Sequence, residues 1–477
     1  MAAKFQITLE QSRLFARLSG DFNPLHVDPL AARRLMFGST VVHGVDILLR
    51  VIEAALRDSG TSSLTALKAS FGAPLVTGAV AIIEVGDKAG QAAGTCGYRV
   101  MSDGRVIQQV ILSTVRDADW PAIPPIAPFA PAMPQDRDFA TLSTAVGTVP
   151  LGFDPAIAQS LYPALSRNLP PLQLAALLAT TRIVGMECPG LHSVYTELDV
   201  VFDAARANDR TCFAFRVAKA DPRFKLLSIA IDGGGASGKI STLVRPAPVA
   251  QPSFAEVCAR VPQSAKQGCR AIVIGGSRGL GETAAKILAA AGADVFVTYA
   301  AGAGDAARVV SDIRNGGGRC GAFHLDVTSP PLERPAGLPA DWVPTNIYYF
   351  ASPHIDIRRG EAWNAALFAR FCDFYVGGLA RSIEAIDAWF HMTQPLKLFY
   401  PSSIFLDQPV RGAAEYAAAK AAGEQLCRDL VAMRRGLTAE SPRLPRMLTD
   451  QTVGVKASQM QAPLDIMPGI LISEGGQ

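Results

Sequence analysis

Apolar residues recur at helical spacing through residues 41–60, VVHGVDILLRVIEAALRDSG, with Val45, Leu48, Leu49, Ile52 and Leu56 on one face and Gly60 as a stop. The period then changes. SLTALKASFGAPL, AVAIIEVGDKA and TCGYRVMSDGRVIQQVILSTVR read as strands, the last folded at Ser102-Asp103-Gly104. One long helix followed by an antiparallel sheet is α+β logic. The order recurs further on. LPPLQLAALLATTRIVGM is helical, with Pro170 and Pro171 at its start, and SVYTELDVVF, TCFAFRVAKA and FKLLSIAID alternate like half-buried strands. The last part differs: CRAIVIGGSRGLGETAAKILAAAGADVFVTYA is strand, glycine turn, helix, strand, the βαβ mark of a doubly wound parallel sheet.

Two proline-dense stretches, residues 119–136 and 245–254, cannot enter a helix interior or a central strand. They divide the chain into 1–118, 137–245 and 255–477. The expected fold is therefore multidomain, α+β followed by α/β.

Composition narrows the function classes. The chain has 477 residues, 49% hydrophobic and 18% charged, with net charge +3. That suits packed domains, and it gives no case for nucleic acid. The eight cysteines form no CxxC pair, which argues against a zinc site or a disulfide framework. The opening MAAKFQITLEQSR lacks the apolar core of a signal peptide, and no apolar run is long enough to span a membrane. A cytoplasmic protein without membrane partners is the expectation.

The stretch SGDFNPLHVD sets Asp21, Asn23 and His26 at offsets that one helix face would not unite. Pro24 keeps Asn23 out of the helical region, so a turn must bring acid and imidazole together. Such a pair can take and give a proton near neutral pH. Downstream, Gly44 opens the long helix, whose free N–H groups can meet an oxyanion. Standing alone, Asp-x-Asn-x-x-His would be an Asx turn with a surface histidine. His43 is open between a structural and a site role, and His192 is expected at the surface.

The order SGDFNPLH, FGSTVVHG and FGAPLVTGAVAIIE resembles the MaoC-like (R)-specific enoyl-thioester hydratases and dehydratases of the hot-dog fold, over about residues 1–118. The resemblance implies Asp21 and His26 as catalytic residues, with Gly44 at the oxyanion site and Asn23 beside them. It also implies that residues 137–245, which lack the motif, form a second, non-catalytic hot-dog half.

In the last segment, Gly275, Gly279 and Gly281 follow the apolar strand AIVI, in the context of a dinucleotide pyrophosphate turn that also includes Ser277, Arg278 and Leu280. The second strand has no acid at its end, Thr298 to Ala301, and Arg278 is placed to meet a 2′-phosphate. NADP(H) is thus favoured over NAD(H), and no metal is expected. Asp326, with Val327 after it, suits the adenine or is an ordinary cap. Tyr416 and Lys420 are four apart on one helix face, where the lysine charge would lower the tyrosine pKa, and Ser403 lies thirteen residues earlier.

These residues resemble the short-chain dehydrogenase/reductases, close to ketoreductases of 3-oxoacyl thioesters, over about 268–447. The resemblance implies Ser403 and Tyr416 on the substrate, Lys420 on the cofactor ribose and Ala351 beside the cofactor. It also marks departures. The usual N-N-A-G reads Tyr349-Phe350-Ala351-Ser352, the catalytic asparagine is replaced near Tyr375, and only 57 residues follow Lys420.

The combined expectation is a double hot-dog followed by a Rossmann-type domain. It would reduce a 3-oxoacyl thioester and dehydrate the product, on coenzyme A or a carrier protein, as a homo-oligomer. Two alternatives stand beside it: a single-site hydratase with a nucleotide-binding partner domain, and a non-catalytic acyl-carrier-binding scaffold.

Overall fold

The computed structural model describes residues 3–35, 37–57, 62–86, 94–116, 119–207, 210–330, 332–339, 341–355, 362–452 and 460–472. The chain forms two compact units, 1–247 and 248–477.

The first unit is one ten-stranded antiparallel sheet around two buried helices. Its strands are β1 (Ala3–Gln6), β2 (Ser62–Phe71), β3 (Val80–Val85), β4 (Thr95–Ser102), β5 (Arg105–Arg116), β6 (Val146–Pro150), β7 (Ser193–Phe202), β8 (Cys212–Asp221), β9 (Leu226–Gly233) and β10 (Ala236–Val244). Their order is β1-β3-β4-β5-β2-β7-β10-β9-β8-β6. The second five repeat the first five in reverse, which is the layout of two hot-dog halves joined edge to edge. The junction is β2 against β7, from Ala66 opposite Val201 to Ser70 opposite Glu197. As the turn chemistry requires, β4 and β5 meet at Asp103 and Gly104, both at positive φ.

The helix Gly44–Leu56 buries Val45, Leu48, Leu49, Ile52 and Leu56, as its spacing predicts. Gly60, its expected stop, lies outside the described residues. The counterpart Pro171–Arg182 is buried continuously from Leu172 to Thr181, so it shows no polar face at all. Polar ties also join the halves. Gln173 on that helix accepts from Leu64 N (2.9 Å) and donates to Leu64 O (2.8 Å), at the bulge in β2. Glu53 accepts from Ala164 N (3.0 Å) and Leu165 N (2.6 Å), and Tyr162 donates to Asp46 (2.6 Å). The proline-rich stretch 119–136 has neither helix nor strand, yet it is bonded down. Phe129 N donates to Arg17 O, and Gln135 N to Met186 O.

The second unit holds the parallel strands β11 (Arg270–Ile274), β12 (Asp294–Tyr299), β13 (Arg319–His324), β14 (Asn346–Tyr349) and β15 (Leu396–Phe399). A small pair follows, β16 (Ser402–Ser403) with β18 (Arg443–Leu444), and between them in sequence β17 (Leu437–Glu440) closes the main sheet. The order β13-β12-β11-β14-β15-β17 is that of a Rossmann-type doubly wound sheet. The short end of the chain thus still supplies the sixth strand. Beyond it, the helix Pro463–Leu471 buries Leu464, Met467 and Leu471 in the same core as Leu288 of the helix Gly279–Ala290.

Replacing Gln173 by leucine would leave the buried Leu64 N–H and C=O without partners. We expect Gln173→Leu to destabilise the first unit by about 2–4 kcal/mol in denaturant unfolding. A loss below about 0.5 kcal/mol would show that this tie does not hold the halves.

Candidate active sites

In the first unit the helix Leu9–Ser19 ends at Gly20, whose φ of 80° suits glycine. Asp21 follows. Asn23 then caps the short helix Pro24–Val27, its Oδ1 accepting from Leu25 N, and this helix carries His26. The turn therefore does what its sequence predicts. A carboxylate oxygen of Asp21 and ring nitrogens of His26 and His43 lie within 4.8 Å of one another. His26 Nδ1 is 2.8 Å from Val41 O, so that nitrogen carries the proton and Nε2 is left as the base. The rings of His26 and His43 stack at 3.9 Å, and His43 Nε2 donates to Asp21 O at 3.0 Å.

The Asp21 carboxylate is buried. Its Oδ1 accepts from Asn23 N (3.1 Å) and its Oδ2 from Thr181 Oγ1 (2.7 Å). Burial raises its pKa, against the opposing pull of His26 and these donors. Burial likewise lowers His26, against Asp21, and Arg245 adds to the lowering. His43 is pushed well down by burial and by His26, which keeps it neutral. The Asn23 amide donates away from the dyad, to Gly185 O (3.1 Å), Gly190 O (3.1 Å) and Leu191 O (3.3 Å). Asn23 therefore anchors the turn to the second half. His43 caps the helix Gly44–Leu56 with its backbone only, so its side chain leaves the first-turn N–H groups uncovered. A Cβ at Gly44 would meet the Phe71 ring at 2.7 Å, which is why glycine stands there.

In the second unit the glycine turn is tight. Gly275 and Gly279 have positive φ, and a Cβ at Gly281 would lie 2.2 Å from Gly275 O. A Cβ at Gly279 would meet nothing within 4 Å, so the turn is open on that side. Gly275 N donates to Thr298 Oγ1 at 3.1 Å. Ser277 is buried, Arg278 is the N-cap of the helix Gly279–Ala290, and Leu280 packs on the core beneath. The Ala351 backbone closes against Gly275. Asp326 accepts from Thr328 N, Thr328 Oγ1 and Ser329 Oγ, and Val327 is buried with its carbonyl taking Arg381 Nε.

Ser403 lies close enough to Tyr416 to oppose the rise that burial gives its pKa, and Ser403 Oγ accepts from Phe405 N at 3.2 Å. Lys420 Nζ donates to Pro401 O at 2.7 Å and sits 4.0 Å over the Tyr375 ring and 4.7 Å over the Tyr400 ring. Tyr375, in the π-turn Asp373–Gly378, meets Tyr416 edge-on at 5.8 Å, and its hydroxyl is 2.7 Å from Ser352 Oγ.

The family model for the MaoC like domain matches residues 2–94, and that for the short chain dehydrogenase matches residues 270–332. The chain carries a MaoC-like domain followed by a short-chain dehydrogenase domain.

Over 74 residues the chain is 35% identical to the peroxisomal multifunctional enzyme type 2 of Drosophila melanogaster, a match covering 15% of this chain and 12% of that protein. Over 79 residues it is 33% identical to a dehydratase of Ajellomyces capsulatus named NIT22, covering 16% of this chain and 21% of that one. The matched stretches thus span less than a quarter of either relative. Among solved structures, a dehydrogenase/reductase from Sinorhizobium meliloti aligns at 24% identity, 44% of this chain, 89% of that chain and TM-score 0.37. A short chain dehydrogenase from Burkholderia cenocepacia in complex with NADP aligns at 25% identity, 44% and 91% coverage and TM-score 0.35. No helix among the described residues is long and apolar enough to cross a membrane.

Two expectations need correction. In the dehydrogenase domain, Lys420 does not lower the Tyr416 pKa. Burial raises it, opposed by Ser403, because the ammonium turns to Pro401 O and the two rings. In the MaoC-like unit, His192 is not at the surface: its side chain is 13% exposed, with Nε2 3.3 Å from Asp136. The second half, read from the sequence only as non-catalytic, also reaches the site. Thr181 and Gly185 both reach Asp21, and nothing local in ATTRIVGM signals it.

Burial lowers Lys420 to about 7, with Cys427 and Glu424 opposing. An unfolded lysine titrates near 10.4, so between these values the unfolded chain binds more protons and stability rises with pH. The contribution is full above the unfolded value and lost as pH falls through the folded one. The melting-temperature advantage of wild type over Lys420→Met should therefore grow from pH 7 to pH 10. A flat or shrinking difference would contradict a desolvated ammonium.

Proposed function

We propose that the chain is a bifunctional enzyme of acyl-thioester metabolism. Its MaoC-like segment, 1–118, adds water to or removes it from a 2-enoyl thioester, with 137–245 as the second hot-dog half. Its segment 255–477 reduces the 3-oxoacyl thioester to the 3-hydroxyacyl thioester with NADPH. The substrate is carried on coenzyme A or a carrier protein, and a cytoplasmic homo-oligomer is part of this reading. The observation that carries it is the convergence of Asp21 and His26 with His43, the N-cap of the helix that begins at Gly44.

In hydration, His26 Nε2 and Asp21 hold the water. Its oxygen bonds to C3 as one of its protons passes to the dyad, and the dyad returns a proton to C2, so that one water is added across the double bond. Negative charge gathering on the thioester oxygen between these events meets the N–H groups of the Gly44 turn. Dehydration is the reverse.

The reductase site fits a nicotinamide dinucleotide. Gly275, Ser277, Arg278, Gly279, Leu280 and Gly281 would hold its pyrophosphate at the open side of the turn, with Asp326, Val327 and Ala351 at its flank. When bound, the cofactor supplies hydride to the carbonyl carbon. Ser403 orients the carbonyl oxygen and Tyr416 gives it a proton. The absence of an acid after β12, together with Arg278, supports NADPH over NADH.

One observation favours a second reading, a hydratase whose dehydrogenase domain binds nucleotide without reducing ketones. Lys420 is committed to Pro401 O and held between Tyr375 and Tyr400, rather than disposed towards a ribose.

Paired variants separate the two readings. His26→Ala should cut crotonyl-CoA hydration by about 10²–10⁴-fold and leave acetoacetyl-CoA-dependent NADPH oxidation intact. Tyr416→Phe should do the opposite. Loss of both activities in either folded variant would end the two-site account. Absence of ketone reduction in the wild type would select the second reading.

A further inference from the structure

We infer that Thr181, on the helix of the second half, is a positioning residue for the Asp21–His26 dyad: its hydroxyl fixes the Asp21 carboxylate and sets the pH at which that carboxylate works. The inference rests on the hydratase reading.

The two carboxylate oxygens are divided between the halves. Asn23 N, from the motif itself, donates to Oδ1 at 3.1 Å, and Thr181 Oγ1 donates to Oδ2 at 2.7 Å. Thr181 is 3% exposed and Asp21 1%, so water does not compete for this bond. One turn further, the second half abandons the α-helix for the π-turn Ile183–Glu187. That turn brings Gly185 against the same carboxylate. A Cβ there would lie 2.1 Å from Oδ1 and 2.4 Å from Oδ2. The backbone at Gly185 and Gly190 then takes the Asn23 amide. Thr181 and Gly185 thus form a cradle against the acid, and the carbonyls of Gly185 and Gly190 hold the Asn23 amide beside it.

The direction of the effect follows from the groups that face Asp21. Burial favours its neutral form. His26, the Asn23 N–H and the Thr181 O–H favour the charged form. His43 is neutral and spends its Nε2 proton on the Asp21 carbonyl, and Arg245 acts on His26. Of the donors to the carboxylate, only the Thr181 hydroxyl can be removed by a nearly isosteric substitution, Thr181→Val. Without it the carboxylate protonates at higher pH and loses the restraint on its rotation.

The experiment is the pH profile of kcat/KM for crotonyl-CoA hydration by the full chain. Thr181→Val should move the acid limb upward by about one to two pH units and lower the plateau about tenfold, whereas Thr181→Ser should keep the wild-type acid limb. Asp21 titration by carboxyl-selective NMR of the same proteins, which needs no activity, should show the same upward shift in Thr181→Val. Should Thr181→Val not fold, Thr181→Ala takes its place. A wild-type acid limb in the valine or alanine variant, or a serine variant that behaves like valine, would overturn the inference. A wild-type protein with no hydration but with the NMR shift would sink the hydratase reading and leave the coupling of Thr181 to Asp21 standing.

Discussion

The first unit depends on one buried carboxylate. Removing Asp21 from water is costly unless its oxygens are bonded and a partner shares its proton. The chain meets both conditions with groups far apart in sequence: His26 five residues on, and Thr181 from the other half. The joined sheet, the π-turn and the glycine at 185 are the means by which the two halves reach that carboxylate. A single half would expose one edge of its sheet at β2 and one side of its acid. Doubling the fold meets both needs with one interface.

This explains which parts the sequence declares. Periodicity reports local burial, so the helix Gly44–Leu56, the alternating strands and the glycine turn at Gly275 are all legible. The motif around Asp21 is legible because proline and asparagine dictate its turn locally. Contacts across the halves have no such trace. Thr181 lies in a stretch that is apolar on all sides, where a threonine reads as filler. His192 looks like a solvated loop residue until the proline-rich stretch, bonded down over the fold, brings Asp136 to it.

Among the points at which the second unit departs from the short-chain dehydrogenase pattern, the structure gives the one at Tyr375 a shape. Tyr375 stands near the position where the family resemblance sets an asparagine, and it is tied to several neighbours. It hydrogen-bonds with Ser352, stands edge-on to Tyr416 and offers its face to Lys420. The lysine is thereby drawn into an aromatic cage. Gly423 follows from the same packing, since a Cβ there would lie 2.0 Å from the Tyr400 hydroxyl.

The central claim is that one chain carries two working sites for consecutive steps on the same β-carbon. The most direct measurement mixes the purified wild-type protein with crotonyl-CoA and NADP⁺ at mildly alkaline pH and follows NADPH. The account predicts NADPH formation after a lag, because hydration must first supply the 3-hydroxyacyl thioester that the second site oxidises. Hydration that proceeds without NADPH formation, even when authentic (R)-3-hydroxybutyryl-CoA is added, would contradict it.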